Sequence, residues 1–99
     1  MSLLSAGDLD ECLRALSHPD RRRFVGECLA GQCSAGDLAG LSALALATVS
    51  EHLKVLRKSG LLIVEKSGRF WLYRADPVRL KRVLGALHDL TEGQAQDGT

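Results

Sequence analysis

The stretch LATVSEHLKVLRKSGLLIVEKSGRFWLYRA, residues 46–75, decides the fold, because its hydrophobic period changes once along its length. Apolar side chains recur first at helical spacing, which predicts a helix over residues 46–59 that ends at Gly60. After that glycine the pattern becomes that of two β strands, separated by the hairpin turn Ser67-Gly68. The helical side chains expected to face inward are Val49, Leu53, Val55 and Leu56.

Three helix starts are marked upstream of this stretch. The pentapeptide SAGDL occurs at residues 5–9 and again at 34–38, and in each copy a serine precedes an aspartate by three positions. This spacing is typical of a helix N-terminus, where the serine oxygen accepts a hydrogen bond from an unpaired backbone N–H. SHPD at residues 17–20 follows the same rule, with a proline in the first turn. The three starts predict a helix over residues 6–16, a second helix that stops near Gly31 and a short third helix.

A last helix opens at Asp76-Pro77 and carries a leucine-rich stripe. Four helices, a hairpin and a final helix make a mainly α fold with a β-hairpin wing, which is the winged helix-turn-helix architecture. The sequence does not settle the turn between the third and fourth helices, because residues 42–45 contain neither glycine nor proline. One domain is expected over residues 1–92, and the polar residues 93–99 are expected to form a disordered tail.

Composition excludes several classes of protein. The chain has 99 residues, of which 45% are hydrophobic and 25% charged, as in a globular domain. No apolar run approaches the roughly 20 residues of a membrane span and no leader-like segment opens the chain, so we expect no membrane partner and a cytoplasmic location. Three cysteines without a secretory signal argue against a disulfide framework. Phosphate-loop, HExxH and GxSxG motifs are absent from the sequence, so no enzyme is predicted.

Basic side chains are concentrated in one region, although the net charge is only +1. Residues 51–74 hold six bases and two acids, whereas residues 1–20 hold one base and four acids. Such a distribution is typical of a face that binds a polyanion. A solvated helix face without a partner is the alternative for the same charges.

Three segments, in this order, carry a family resemblance: LSHPDRRR at residues 16–23, the run over residues 34–62, and GRFWLYR at residues 68–74. Within the second segment, VSEHLKVLRKSGLL matches the pattern V-S-x-H-L-x-x-L-x-x-x-G-L of a recognition helix. The chain therefore resembles the ArsR-type (ArsR/SmtB) family of small bacterial winged-helix repressors over residues 10–92. The resemblance implies a homodimeric transcriptional regulator that represses by binding a palindromic operator in double-stranded DNA through the fourth helix and the wing.

The candidate DNA-contacting residues lie on the outer face and far end of the fourth helix and on the hairpin. Hydroxyl side chains such as Thr48 and Ser50 can bond base edges or phosphates, and the cations can neutralise phosphates. His52 matches the family's histidine, for which packing under the helix is an equal alternative, and Lys66 and Arg69 have the alternative role of keeping an edge strand soluble. The full set is Ala47, Thr48, Ser50, Glu51, His52, Lys54, Arg57, Lys58, Lys66 and Arg69.

The last helix is expected to form most of a homodimer interface together with the first helix. Its stripe is too apolar to face water on a lone domain of this size. Trp71 and Tyr73, on the second strand, are expected to pack in the core or the dimer and not to stack on bases. The predicted interface residues are Leu9, Leu13, Leu80, Val83, Leu84, Leu87 and Leu90.

The resemblance raises the question of a sensed ion. Many members of the family bind metals or metalloids through two cysteines in a third-helix C-V-C-D-L pattern, but here SAGDL puts Ser34 and Gly36 at those positions. Cys12 and Cys28 lie on apolar stripes, so core packing is expected in preference to binding ions or sensing oxidants, and Cys33 is placed near Cys28, where the second helix turns into the third. A thiolate site for a soft ion is therefore not predicted.

A second ion site of the family, shared across the dimer on the last helix, is matched only in part. Val78 replaces its first histidine and Asp89 its second. The remaining carboxylates and one histidine would hold Ni(II) or Zn(II) weakly, so a divalent metal is the one cofactor considered and a metal-responsive repressor is the alternative function. A winged helix that binds protein and not DNA is a more distant alternative. The weak candidate ligands are Asp76, His88, Asp89 and Glu92.

Overall fold

A computed structural model describes residues 4–97, and for residues 94–97 the backbone only. Over that range it has the predicted order of four helices, a hairpin and a last helix, and so confirms the winged helix-turn-helix fold. Helix α5 continues past the predicted boundary at residue 92, and residues 1–3 and 98–99 lie outside the described range. The elements are α1 (Ala6–Leu16), α2 (Pro19–Ala30), β1 (Cys33–Ser34), α3 (Ala35–Ser42), α4 (Leu46–Lys58), β2 (Leu62–Ser67), β3 (Phe70–Ala75) and α5 (Pro77–Asp97).

Both SAGDL copies open helices as predicted. The Ser5 hydroxyl accepts a hydrogen bond from the Asp8 N–H at 3.1 Å at the start of α1. At the start of α3 the box is reciprocal: the Ser34 hydroxyl accepts from the Asp37 N–H at 3.1 Å, and the Asp37 carboxylate accepts from the Ser34 N–H at 3.0 Å. The repeated pentapeptide thus reflects one local solution to capping, used twice.

SHPD opens α2 by a different arrangement from the one predicted. His18 is the N-cap, and its Nδ1 accepts a hydrogen bond from the Asp20 N–H at 3.2 Å. Pro19 occupies the first helical position, as expected. Ser17 instead ends α1, where its hydroxyl donates to the Arg14 carbonyl at 2.6 Å. An imidazole nitrogen can therefore replace the serine oxygen of the predicted cap.

The turn between α3 and α4 is made without glycine. Ala43 ends α3 in the left-handed conformation, with φ at 59°. The Ser42 hydroxyl supports the turn, because it donates to the Leu38 carbonyl at 2.8 Å and accepts from the Leu44 N–H at 3.3 Å. These bonds stabilise a turn where the residue propensities alone would allow α3 and α4 to form one continuous helix.

The wing is part of a three-stranded antiparallel sheet in the order β1-β3-β2. Strand β1, which the sequence analysis did not predict, pairs Cys33 with Tyr73 of β3. Ser67 pairs with Phe70, so the hairpin turn is Gly68-Arg69 and the predicted turn was one residue too early. Gly68 has φ at 61°, as the first central residue of a type II′ turn requires.

The core lies where α1, α2, α4 and β3 meet, and it includes Phe24, Leu53 and Leu56. Two predicted placements were wrong. Val55 is exposed, since it points away from the side of α4 that carries Leu53 and Leu56. Val83 is only 2% exposed and belongs to this core, so it is not available for the predicted dimer stripe. Among the described residues, α5 and the other helices are too short or too polar to cross a membrane.

Gly60 joins α4 to the wing at a crowded point. Its φ is 82°, a left-handed value. A Cβ at this position would lie 2.6 Å from Nε of Arg79, whose side chain reaches across from α5 and donates to the Ser59 carbonyl at 3.2 Å. The glycine therefore allows α5 to be fastened to the end of α4.

Candidate nucleic-acid interface

The beginning of α4 exposes backbone donors. Ala45 is the N-cap and no side chain caps this end of the helix. The first N–H groups of a helix have no partner within it and carry its positive dipole. At the start of α4 these groups can therefore donate to an anion such as a DNA phosphate.

One face of α4 is exposed and polar, whereas Val49, Leu53 and Leu56 on the opposite face are buried. The exposed side chains are short near the beginning of the helix and become long and basic towards its end. A face of this kind fits a groove, because short side chains allow close approach to base edges. The predicted contact residues on it are Ala47, Thr48, Ser50, Glu51 and Lys54, and all five are exposed.

The end of α4 carries a basic strip that we define as Lys54, Arg57 and Lys58. These three exposed side chains line a hollow of about 390 Å³. The indole of Trp71 on β3 lies beside it, with the Arg57 guanidinium carbon 5.4 Å from the ring centroid. Lys66 of β2 contributes its ammonium at 4.8 Å from the same ring.

Trp71 therefore does not pack in the core of this chain, which was one of the two places predicted for it; the other was the dimer interface. It is 43% exposed and lies between one cation of α4 and one of the wing. Tyr73, two positions along the same strand, is buried as predicted. Side chains two positions apart on a strand share a face, so the two aromatic residues differ in position along β3: Tyr73 lies where β1 pairs with β3, and Trp71 lies nearer the hairpin turn, next to the basic strip.

The wing adds Lys66 and Arg69, which are both exposed near the hairpin turn. Arg74, the remaining base of residues 51–74, differs from them. Its Nε donates to Oε1 of Glu65 at 2.6 Å, so its charge is compensated within the sheet. The positive charge of the surface therefore comes from the basic strip and the wing tip.

His52 lies on another side of α4 and is only half-buried. Its ring centroid is 4.5 Å from that of His18 and 6.1 Å from that of Phe24, so its side chain packs against α2. Burial, followed by the charges of His18 and Arg21, lowers the pKa of His52 below its usual value of 6.5. The imidazole is therefore neutral at physiological pH, and it faces α2 while the exposed contact residues face outward.

Three metal-ligating side chains that the sequence analysis did not group lie together at this point. His18 and Asp20 from the start of α2 and His52 from α4 have potential ligand atoms that are all within 4.8 Å of one another. No periodicity could have revealed the group, because His52 is separated from the other two by more than 30 residues of chain.

The weak metal candidates of the last helix are spread out within one chain. Asp76 caps α5, since its carboxylate accepts from the Val78 N–H at 3.0 Å. His88 lies 12 residues further on, which is about 18 Å along a helix, and its Nε2 is 3.1 Å from Oε1 of Glu92. Asp89 is exposed beside that pair. A protomer by itself therefore does not bring Asp76 to the other three candidates.

The thiols are also divided. Cys12 is buried and donates to the Ser59 carbonyl at 3.3 Å. Cys28 is buried and Cys33 half-buried, and the Cys33 Sγ lies 3.7 Å from the Gly31 carbonyl oxygen. Burial, with Cys33 as the next cause, raises the pKa of Cys28 to about 12. Cys12 and Cys28 thus lie in the core as predicted, and they are protonated at neutral pH.

The leucine stripe is exposed on α5 and continues onto α1. Leu84 and Leu90 are 58% and 66% exposed, and Leu87 and Leu13 are 39% and 37% exposed. Leu9 and Leu80 are half-buried at the base of this surface, where α1 packs against α5. Six of the seven predicted interface residues are therefore at least partly exposed, and Val83 is the exception.

Comparisons with known proteins agree with this arrangement. A profile of the helix-turn-helix domain family matches residues 16–65. The HTH-type transcriptional regulator CmtR of Mycobacterium tuberculosis is 39% identical over 74 residues, which cover 75% of this chain and 63% of that protein. The biofilm growth-associated repressor of Xylella fastidiosa is 28% identical over 85 residues, covering 86% of this chain and 75% of that protein.

Solved structures show the same fold. An ArsR-like transcriptional regulator from Rhodococcus sp. RHA1 superposes with a TM-score of 0.84 at 25% identity, covering 92% of this chain and 86% of that one. The relatives named here are regulators and not enzymes, as predicted for this chain. The chain spans 63% of the length of the CmtR relatives that it matches.

Proposed function

Because this chain belongs to the helix-turn-helix domain family and to the ArsR family of transcriptional regulators, we propose that it is a homodimeric repressor that binds a palindromic operator. One observation carries the proposal. An exposed surface runs without interruption from the uncapped start of α4, along its short polar side chains, to the basic strip and the wing. A repressor acting on DNA also implies a cytoplasmic location.

The two parts of this surface have different roles in the proposal. Thr48 and Ser50 enter the major groove and contribute to sequence preference through base edges. Lys66 and Arg69 contact phosphates and contribute affinity without sequence information. Two α4 helices related by a two-fold axis then meet successive major grooves about one helical turn apart, which gives a palindromic footprint.

The proposal is tested by fluorescence anisotropy with DNA from the region upstream of the protein's own gene, measured at several salt concentrations. In a dimer, Lys66→Gln removes two phosphate contacts, so the slope of log K against log salt should fall by about 1.8. Thr48→Ala should leave the slope unchanged and reduce the preference for operator over random DNA. The matched control is Arg74→Gln, on the same hairpin, whose charge is already compensated by Glu65.

An Arg74→Gln effect as large as that of Lys66→Gln would refute the proposed roles. Absence of salt-dependent binding in every variant would favour the alternative of a winged helix that binds protein. That alternative has no support from charge, since a protein-binding wing has no need for cations at its tip.

Trp71 supports DNA binding in the proposal by ordering cations. An indole face attracts a nearby cation by ~0.5–1 kcal/mol at an exposed site, and Trp71 has two such neighbours. Arg57 and Lys66 are then partly fixed before DNA arrives, which lowers the entropy cost of binding. The substitution Trp71→Leu should weaken DNA binding by the dimer at least about tenfold, since about 1–2 kcal/mol of this attraction is lost in each of its two protomers. It should leave the salt slope unchanged because both charges remain.

The ion sites known for the family do not fit this chain. The Ser34 hydroxyl occupies a cysteine position and is engaged in the capping box of α3. The Asp76 carboxylate is engaged at the start of α5, and Val78 and Asp89 replace the two histidines of the last-helix site. We therefore propose no response to an ion through the third or the last helix, and we do not propose the alternative of a repressor that responds to Ni(II) or Zn(II) at the last helix.

A further inference from the structure

The group formed by His18, Asp20 and His52 joins α2 to α4, and in the proposed function only α4 enters the DNA groove. His18 and Asp20 open α2, whereas His52 lies on α4, between its exposed face and its buried one. The two imidazole rings are 4.5 Å apart, and His18 Nδ1 is 3.9 Å from Oδ2 of Asp20. All three residues are half-buried, so solvent reaches the group.

We propose that His18, Asp20 and His52 form a binding site for a divalent transition-metal ion of borderline hardness, such as Zn(II), with an exchangeable fourth ligand. Two imidazoles and one carboxylate are a donor set that such ions prefer. Bonds of about 2.0–2.1 Å in a tetrahedral site put ligand atoms about 3.3 Å apart. The present ligand atoms lie within 4.8 Å of one another, so each pair would need to approach by at most about 1.5 Å to close the site.

The protonation state of the group favours an ion. A histidine must be neutral to ligate, and burial lowers the pKa of His52. The lowered pKa of His52 favours the neutral imidazole that a metal ligand needs.

The neighbouring Arg21 weakens the site. Its positive charge acts on His52 and opposes that of the ion, while the Asp20 carboxylate offsets it, so we expect micromolar and not nanomolar affinity.

An ion at this site would tie the beginning of α2 to the middle of α4. This consequence rests on the proposed function, because a change in the position of α4 matters only if that helix meets DNA. Metal binding at the site does not depend on DNA binding, so the site is tested without DNA.

The experiment is a titration of the full chain with Co(II), followed by competition with Zn(II). Four-coordinate Co(II) gives visible d–d absorption, and thiolate ligation would add a near-ultraviolet charge-transfer band. We expect one Co(II) per chain, visible absorption without the thiolate band, and displacement by Zn(II).

Two variants remove one ligand each. His52→Gln should weaken Co(II) binding by at least about tenfold. His18→Asn should do the same, and it keeps a good N-cap residue at the start of α2, so loss of the cap cannot explain the result. Circular dichroism checks that both variants fold.

The control is the double variant His88→Ala, Glu92→Gln, which removes the other imidazole–carboxylate pair of the chain. It should bind Co(II) as the wild type does. Unchanged affinity in the folded His52→Gln variant, loss of binding in the α5 control, or a thiolate band would each overturn the proposal. DNA binding measured in parallel tells whether the proposed function stands whatever the fate of the metal site.

Discussion

Replacing Leu84 by aspartate tests the homodimer most directly. Leu13, Leu84, Leu87 and Leu90 together expose about as much surface as two whole leucines in each protomer. Burying one leucine side chain contributes ~1.5–3 kcal/mol, so the two stripes of a dimer contribute roughly 6–12 kcal/mol. Association costs ~4–15 kcal/mol in lost freedom. Because the two quantities are similar, a single substitution should shift the equilibrium strongly.

The expected rise in the dissociation constant of the dimer follows from the exposure of Leu84. At 58% exposure and two copies per dimer, Leu84→Asp removes a little more burial than that of one leucine, about 2–3 kcal/mol. That loss alone weakens the dimer by at least about 30-fold. The aspartates would add to it, because two carboxylates would lose water near a symmetry axis. Sedimentation velocity over a range of concentrations measures the dissociation constant.

Two controls make the result interpretable. Leu46 is 55% exposed at the start of α4, so Leu46→Asp adds the same charge at similar exposure on another surface and should leave the dimer intact. Circular dichroism should show a folded Leu84→Asp chain, since this side chain is not part of the core. An unchanged dissociation constant for Leu84→Asp, or equal weakening by Leu46→Asp, would refute the assignment of the interface to α5.

Three further predictions concern the fold. Asp37→Asn should lower the free energy of unfolding at pH 7. Hydrogen bonds from the backbone and side chain of the N-cap serine put the pKa of Asp37 below its usual 3.8, so the stabilisation is present above pH 3.8 and lost as pH falls through the lower folded value. Urea unfolding should therefore show the difference from wild type shrinking below pH 3.8. Cys33 should react with iodoacetamide before Cys28, whose pKa is raised by burial to about 12, and equal rates in peptide mass spectra would contradict this. Gly60→Ala should cost at least about 1–2 kcal/mol in left-handed strain, with a further loss from displacing Arg79, measured as a lower midpoint in urea.

Local signals in the sequence were sufficient for most of the fold. The starts of α1 and α3 follow from Ser5 and Ser34, because capping depends on neighbours within four residues. The end of α4 and the change to strands follow from a single glycine and a change of period. These features are decided within one turn of helix or one hairpin, so they can be predicted without tertiary structure.

Features that depend on distant contacts were missed. Strand β1 has two residues and exists because Cys33 pairs with Tyr73, so it has no periodicity of its own. Trp71 could not be separated from Tyr73 by alternation, since both lie on the same face of β3, and only the pairing of Tyr73 with β1 shows where along the strand that face is covered. Val83 lies in the same stripe as Leu84, and only the packing of α1 on α5 decides which of them faces the core. The group around His52 was missed for the same reason.

The candidate DNA surface was easier to predict than the metal site. The basic strip and the hydroxyl side chains of α4 lie within 11 residues of one helix, so helical spacing is enough to group them. A metal site built from two elements needs the angle at which α2 meets α4. That angle is set by core side chains such as Phe24, which carry no sign of the chemistry nearby.

The central position of β3 divides the wing into two mechanical parts. Near its root, β3 has neighbours on both sides, because Tyr73 pairs with β1 as well as with β2. Beyond Leu72 towards the turn, the hairpin has two strands only, and isolated two-stranded hairpins are marginally stable. The tip can therefore bend to follow a deformed DNA backbone while the root stays fixed to α3. Amide hydrogen exchange should be slow at Tyr73 and fast at Phe70, and contact with DNA should slow it only at the tip.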